Sequence, residues 1–386
     1  MRLDKTYFDQ KISRLGTDSF KWDVCRRENG RDAIPMFVAD MDFPSPPGVQ
    51  EALLMRAAHP FYGYTEVSEA FNLALCDFWK RHHQVDMIPE SILSLPCVVS
   101  GLKIAIQALT EPGDGVILQK PVYGPFMESV RLSGRREMNA SLIRDAQGRY
   151  TMDLEKIETF CREGARLMLL CNPHNPVGRA WTWEEMNGLA RILDRYGVPL
   201  VSDEIHADFV FHPHVFQSAL KLDMEKKMVL CAASKTFNLA GLQMASAVCP
   251  GEDMRTRIRK KMEENGVVSG NIFGLTASRA AYETGDEWLS MLKKRLKRNI
   301  EWFDDLLSEK VPCIRMTPME ATYLAWLDMR AFGLSTKEIV DRLKGGNIIV
   351  SPGTFFGEEG FIRVNLACSD SNLVVTALKL EELFRS

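Results

Sequence analysis

The sequence predicts an α/β fold, with a large domain built on a mostly parallel central sheet and a smaller α+β domain beside it. Three observations carry this. Between about residues 95 and 250, short apolar runs alternate with amphipathic stretches, the pattern of strands wrapped by helices. After about residue 285 the texture changes to a long charged helical stretch, isolated strands and a last helix. A chain of 386 residues is also long for one hydrophobic core, which favours two unequal domains.

Residues 1–48 contain Pro35, Pro44, Pro46 and Pro47 with little periodicity, and are expected to run as an extended arm belonging to the small domain. Residues 49–284 are assigned to the large domain. Its expected strands are Val116 to Gln119, Leu167 to Cys171, Pro199 to Asp203, Met228 to Ala232 and Met244 to Cys249, several of them apolar on both faces as buried parallel strands are. Helices are expected over Leu102 to Thr110 and Thr182 to Tyr196, the second opening on a Thr-Trp-Glu-Glu capping box. Residues 285–386 form the small domain, with a helix Trp288 to Ser308, strands Tyr323 to Asp328 and Phe361 to Leu366, and a final helix from Ser371.

Composition narrows the function. With 46% hydrophobic and 26% charged residues the chain is a folded globular protein. Its 48 basic and 51 acidic residues leave a net charge of -3, which gives no footprint for nucleic acid or an anionic membrane, so a small-molecule partner is favoured. Nine scattered cysteines without a CxxC pair read as reduced thiols, and no apolar leader or spanning run occurs; a soluble, cytoplasmic protein is expected.

The chemistry-bearing residues fall at the ends of expected strands. Ser202-Asp203-Glu204-Ile205-His206 closes one strand, and Ser234-Lys235-Thr236-Phe237-Asn238-Leu239-Ala240-Gly241 comes after another. In open α/β sheets ligands bind at the carboxyl edge, so an acid and a lysine delivered there can face one cofactor. Pyridoxal 5'-phosphate (PLP) needs that pair: an amine to hold its aldehyde as a Schiff base and a carboxylate to keep its ring nitrogen protonated. Lys235 and Asp203 fit these roles. Taken singly, Lys235 reads first as a surface lysine, and Asp203 has a strand terminus or helix cap as its lesser alternative.

Cys171-Asn172-Pro173-His174-Asn175-Pro176-Val177-Gly178 also comes after an apolar strand, and its two Asn-Pro steps enforce a turn. That turn either is an ordinary one or aims the Asn175 amide at the cofactor's phenolic oxygen. Ser100, Gly101 and Leu102 open a helix whose free amides suit a phosphate, and Tyr123 is placed to stack on the ring; a simple cap and a core tyrosine are the plain alternatives.

In that order and at similar spacings, these residues resemble the fold-type I PLP enzymes (aspartate aminotransferase-like), in the class I/II aminotransferase branch, over almost the whole chain. Val38-Ala39-Asp40-Met41-Asp42-Phe43, Gly63-Tyr64-Thr65, and Gln243 after Gly241 look like the MalY/PatB-type cystathionine β-lyase subgroup. The resemblance implies PLP as cofactor, Lys235, Asp203 and Tyr123 as catalytic residues, and His206 beside the ring where many relatives carry Tyr. Gln243 stands where many carry a phosphate-binding Arg. Ala232 lacks the hydroxyl that often touches phosphate, which leaves Ser234 or backbone amides for that contact. It further implies that Arg363, within Gly360-Phe361-Ile362-Arg363, grips an amino-acid carboxylate as a bidentate fork, whereas its local context alone reads as a strand-edge arginine with a surface partner. Tyr64 resembles the residue that crosses a homodimer interface to the neighbouring site, contacting cofactor and substrate there.

Competing motifs fail on their own terms. The SxxK at Ser100 to Lys103 lacks the later SDN and KTG elements, His206, His212 and His214 match no zinc spacing, and neither GxGxxG nor a P-loop occurs. The leading expectation is β-elimination from an L-amino acid with sulfur on Cβ, giving thiol, pyruvate and ammonia. An aminotransferase uses the same groups and is the alternative. A PLP-binding regulator is the remote third reading, since residues 1–48 show no helix-turn-helix pattern.

Overall fold

A computed structural model describes residues 3, 4, 6–267 and 270–385. The large domain is organised on a seven-stranded sheet made of β1 (Ile92–Leu95), β2 (Gly115–Leu118), β3 (Arg136–Asn139), β4 (Leu167–Cys171), β5 (Leu200–Asp203), β6 (Lys227–Cys231) and β7 (Ala245–Val248), in the order β1-β7-β6-β5-β4-β2-β3. β2 through β6 run parallel, while β7 lies antiparallel to both β6 and β1. The mostly parallel sheet is thus as expected. β1 and β3 were not foreseen; in β3, Arg136 and Glu137 break the apolar texture at the sheet edge.

β2 and β4 are buried at every position, which is why their sequences GVIL and LMLLC show no polar face. Each such aliphatic side chain contributes about 1.5–3 kcal/mol of burial free energy, so the sheet centre is the firmest part of the scaffold. Helices α1 (Val98–Leu109) and α2 (Trp183–Arg195) cover it, α2 opening on the foreseen capping box between Thr182 and Glu185.

In the C-terminal part, α3 (Asp286–Lys310) leads to a four-stranded antiparallel sheet of β8 (Arg315–Met316), β9 (Leu324–Asp328), β10 (Ser351–Pro352) and β11 (Phe361–Asn365), ordered β8-β9-β11-β10. α4 (Asp370–Phe384) closes the chain. The N-terminal segment is less extended than the prolines suggested. Phe20–Val24 forms a helical turn that runs into a helix at Cys25–Asn29, and Ile34–Pro35 pairs in parallel with Ile348–Ile349.

The two parts are sewn together beside the Asn172–Gly178 turn. Gly178, at φ 68°, accepts backbone bonds from Glu320 and Ala321, and a Cβ there would approach the Ala321 carbonyl at 3.2 Å. The Glu320 carboxylate then receives Arg179 Nε at 2.7 Å and Arg149 Nε at 2.9 Å.

Candidate active site

Because β2, β4, β5 and β6 are parallel, their carboxyl ends share one edge. β4 ends at Cys171 and turns through Asn175; β5 ends on Asp203; β6 leads into the short helical turn Ala233–Thr236 that carries Lys235. β11 of the small domain supplies Arg363 from the opposite side. These residues, with Tyr123, His206, Ser234 and Gln243, line one cavity of about 470 Å³.

Lys235 Nζ donates to the Ala39 carbonyl at 2.7 Å. Burial lowers its pKa to about 8, while Asp40 and Asp203 act against that and Arg363 adds to it. Asp203 is pushed up to about 7 by burial, opposed by the Ile205 N–H and by Lys235. Among the described residues its Oδ1 alone is hydrogen-bonded, accepting from Ile205 N at 3.1 Å. His206 is lowered to about 3, first by burial and then by Lys235 and Arg363, so its ring is neutral; its Nδ1 is buried and unpartnered among the described residues.

Arg363 is only 3% exposed. Nη1 donates to Asn175 Oδ1 at 3.0 Å, Nη2 to the Phe37 carbonyl at 2.7 Å and more distantly to Ser351 Oγ at 3.4 Å, and the group lies over the Phe356 ring at 4.7 Å. Its partners are neutral, and burial lowers its pKa to about 10. The reading of a strand-edge arginine with a surface partner is therefore wrong for this fold: β11 is an inner strand, and its guanidinium is a buried cation with no carboxylate beside it among the described residues. Such a group is a strong receptor for an incoming carboxylate.

The helix of the expected phosphate turn begins earlier than the sequence suggested. α1 starts at Val98, so the amides without intrahelical acceptors are those of Val98, Val99 and Ser100, and Cys97, Val98 and Val99 line the cavity. Gly101 already donates to the Cys97 carbonyl, and a Cβ on it would meet Leu230 and Leu95 at 2.6 and 2.8 Å. Glycine at 101 thus lets the helix pack closely on the sheet, where a larger residue would push the Leu230 and Leu95 methyls aside. Leu102 is fully buried in the core, and Ser100 Oγ faces Cys97 Sγ at 3.0 Å; none of Ser100, Gly101 and Leu102 lines the cavity.

Tyr123 caps the following helix, takes an edge-on contact from Phe355 at 5.9 Å between centroids, and its hydroxyl is held above the ordinary range by burial. Tyr64 is 108% exposed and lies outside the cavity. Sequence reasoning gave no role to Phe37, Val38 and Ala39, or to Ser351 and Phe355, all of which form the wall. The motif from Val38 to Phe43 was visible as a pattern, but nothing local says that its backbone would face Lys235.

A PLP-like group fits this donor set. The Asn175 side-chain nitrogen has no partner among the described residues, and the second Asp203 oxygen is likewise unengaged. Free helix amides stand on the same wall for a phosphate. The sequence profile of the family described as Aminotransferase class I and II matches residues 38–379. The chain belongs to this family.

Within the class I and II aminotransferases it falls in the MalY/PatB subgroup. It is 41% identical over 374 residues to cystathionine beta-lyase PatB of Bacillus subtilis, covering 95% of this chain and 96% of the relative. It is 30% identical to protein MalY of Escherichia coli, covering 95% of each. Among solved structures, cystalysin from Treponema denticola, which contains PLP, superposes with a TM-score of 0.94 at 30% identity over 99% of both chains. The PLP-bound C-S lyase from Staphylococcus hominis gives 0.91 at 26% identity over 98% of both.

Proposed function

We propose that this class I and II family member is a PLP-dependent carbon-sulfur β-lyase that cleaves L-cystathionine or a related S-substituted cysteine to a thiol, pyruvate and ammonia. The observation that carries the reading is the meeting of the Lys235 amine, the Asp203 carboxyl and the buried Arg363 guanidinium in one cavity, in a chain 41% identical to a named cystathionine beta-lyase. Lys235, Asp203, Asn175, Tyr123, His206 and Ser234 would hold the cofactor, with the Val98 and Val99 amides at its phosphate. When bound, PLP supplies the electron sink that makes the Cα proton acidic and lets the Cβ–S bond break.

The remaining work falls to the chain. Arg363 grips the substrate carboxylate through nitrogens whose direction is fixed by Asn175 and Phe37. Lys235 Nζ, lowered to about 8 from the ordinary lysine value, takes the Cα proton in its neutral form, which prevails above about pH 8. Neutral His206 lies beside Lys235 without adding a charge to the cavity. We further read the active form as a homodimer in which the exposed Tyr64 serves the neighbouring site. Nine unpaired cysteines, Cys171 and Cys231 buried among them, suit a reducing compartment, the cytoplasm.

The test is direct. Purified protein given L-cystathionine without a keto acid should release pyruvate and homocysteine in equal amounts. Strict dependence on a keto-acid acceptor would make it a transaminase instead.

A further inference from the structure

One wall of the cavity is a backbone strap, residues 37–43, whose carbonyls are taken up by side chains from both halves of the site. Ala39 O accepts Lys235 Nζ at 2.7 Å and, more distantly, the Tyr323 hydroxyl at 3.4 Å. On one side, Asn365 Nδ2 donates to Val38 O at 2.6 Å and to Asp40 O at 2.9 Å. On the other, Asn238 Nδ2 donates to Met41 O at 3.0 Å and Phe43 O at 2.9 Å, while its Oδ1 receives Met41 N at 3.1 Å. Fully buried Lys21 adds a bond to Asp40 O at 2.8 Å. Asn238 comes after Lys235 in the same loop at φ 60°, and Asn365 comes after Arg363 in β11. Neither asparagine lines the cavity.

We propose that Asn238 and Asn365 are positioning residues that hold the Ala39 carbonyl where it receives the Lys235 amine, so that one N–H is tethered and the nitrogen is aimed whenever Lys235 is free. This rests on the reading of Lys235 as the base. The two asparagines bracket the only backbone atom that Lys235 Nζ bonds among the described residues, and each is carried on the segment that also carries a site residue. A base displaced by about 1 Å loses much of its advantage, which gives the strap its consequence. An acceptor held at 2.7 Å also stabilises the ammonium against burial. The charged groups facing the same nitrogen are Asp40, Asp203 and Arg363, with His206 beside them and the Tyr323 hydroxyl on the same Ala39 carbonyl.

The test uses Asn238→Gly, since glycine accepts the positive φ, and Asn365→Ala. Reductive methylation of Lys235 with formaldehyde and cyanoborohydride, then peptide mass spectrometry across pH, reads the amine in the full-length chain freed of cofactor. Both variants should shift the midpoint to lower pH, and in the holoenzyme kcat should fall on the order of tenfold or more with KM changed less than about threefold. A midpoint that stays or rises in a folded variant, or an unchanged kcat, overturns the proposal. Asn365→Ser keeps one donor and carries the same readout should the alanine variant fail to fold. If wild-type protein releases no thiol from cystathionine, the lyase reading fails, whereas the methylation midpoint still decides this one.

Discussion

Arg363 Nη1 donates to Asn175 Oδ1 at 3.0 Å, joining a strand of the small domain to the turn that closes β4. The bond fixes two things together. It orients the guanidinium without neutralising it, and it commits the Asn175 oxygen, leaving the amide nitrogen as the donor for a ligand. On the proposed function, contacts to the substrate carboxylate and to the cofactor would thereby be set by one pair.

Arg363→Lys keeps the charge and loses the fork. A lysine cannot hold Asn175, Phe37 O and a carboxylate with one planar group. We expect KM for L-cystathionine to rise on the order of 10–100-fold with a smaller change in kcat. Steady-state kinetics of the folded variant would settle it, and an unchanged KM would remove Arg363 from substrate binding.

Lys235→Ala should abolish the visible absorption band of the enzyme-linked cofactor and lower the lyase rate by roughly 10³-fold or more, as both covalent linkage and base are lost. The spectrum of purified variant supplemented with PLP is the measurement. A wild-type-like band in the variant would place the linkage on another residue.

Much of this site was legible because the parallel strands announce themselves. LMLLC and KMVLC are largely apolar on both faces, and residues just past the end of such a strand lie at the ligand edge of the sheet, so Asn175, Asp203 and Lys235 could be placed together. The start of α1 was misplaced because the helix begins in Val98-Val99, β-branched residues that give no start signal, while Ser100-Gly101 imitates one. Arg363 looked ordinary because its burial depends on β11 lying inside the small sheet against residue 37, a pairing remote in sequence. The strap at 37–43 was hidden because its contacts to Lys235, Asn238 and Asn365 are made by backbone carbonyls, which have no sequence signature.

The pH dependence comes from Lys235. Burial lowers its pKa to about 8 from the ordinary 10.5, so the neutral base is lost as pH falls through about 8, and kcat should show an acidic limb there. Asp40 opposes the lowering, so Asp40→Asn should move that limb to lower pH. The stability of the cofactor-free chain has its own sign. Between about 8 and 10.5 the unfolded chain binds the proton that folded Lys235 has released, so this residue makes stability rise with pH across that window. Urea titrations of wild type and Lys235→Met at both ends of the window would compare the slopes, and equal slopes would contradict the assignment.

The seam between the two parts of the molecule gives the sharpest stability test. Arg179 is 0% exposed, and its charge is met by Glu320 at 2.7 Å and Glu185 at 2.7 Å. Glu320 is held below the usual carboxylate range despite its burial, because Arg179 and Arg149 both donate to it. Glu320→Ala would strip one anion from a guanidinium that cannot reach water, and would free the Ala180 N–H that it also accepts. We expect a loss of about 3–5 kcal/mol in urea unfolding, the range for breaking one side of a buried pair. Removing the cation as well, in Glu320→Ala/Arg179→Met, should cost less than the sum of the two single changes, because the fully buried guanidinium no longer faces a missing anion and the groups left without it, Glu185 and Arg149, are partly exposed. Additive losses would mean that the pair acts only through packing, and a Glu320→Ala loss below about 1 kcal/mol would mean that water or Glu185 alone compensates Arg179. The seam lies on the turn that carries Asn175, so the same variant should also weaken cofactor retention, measured as PLP lost on dialysis.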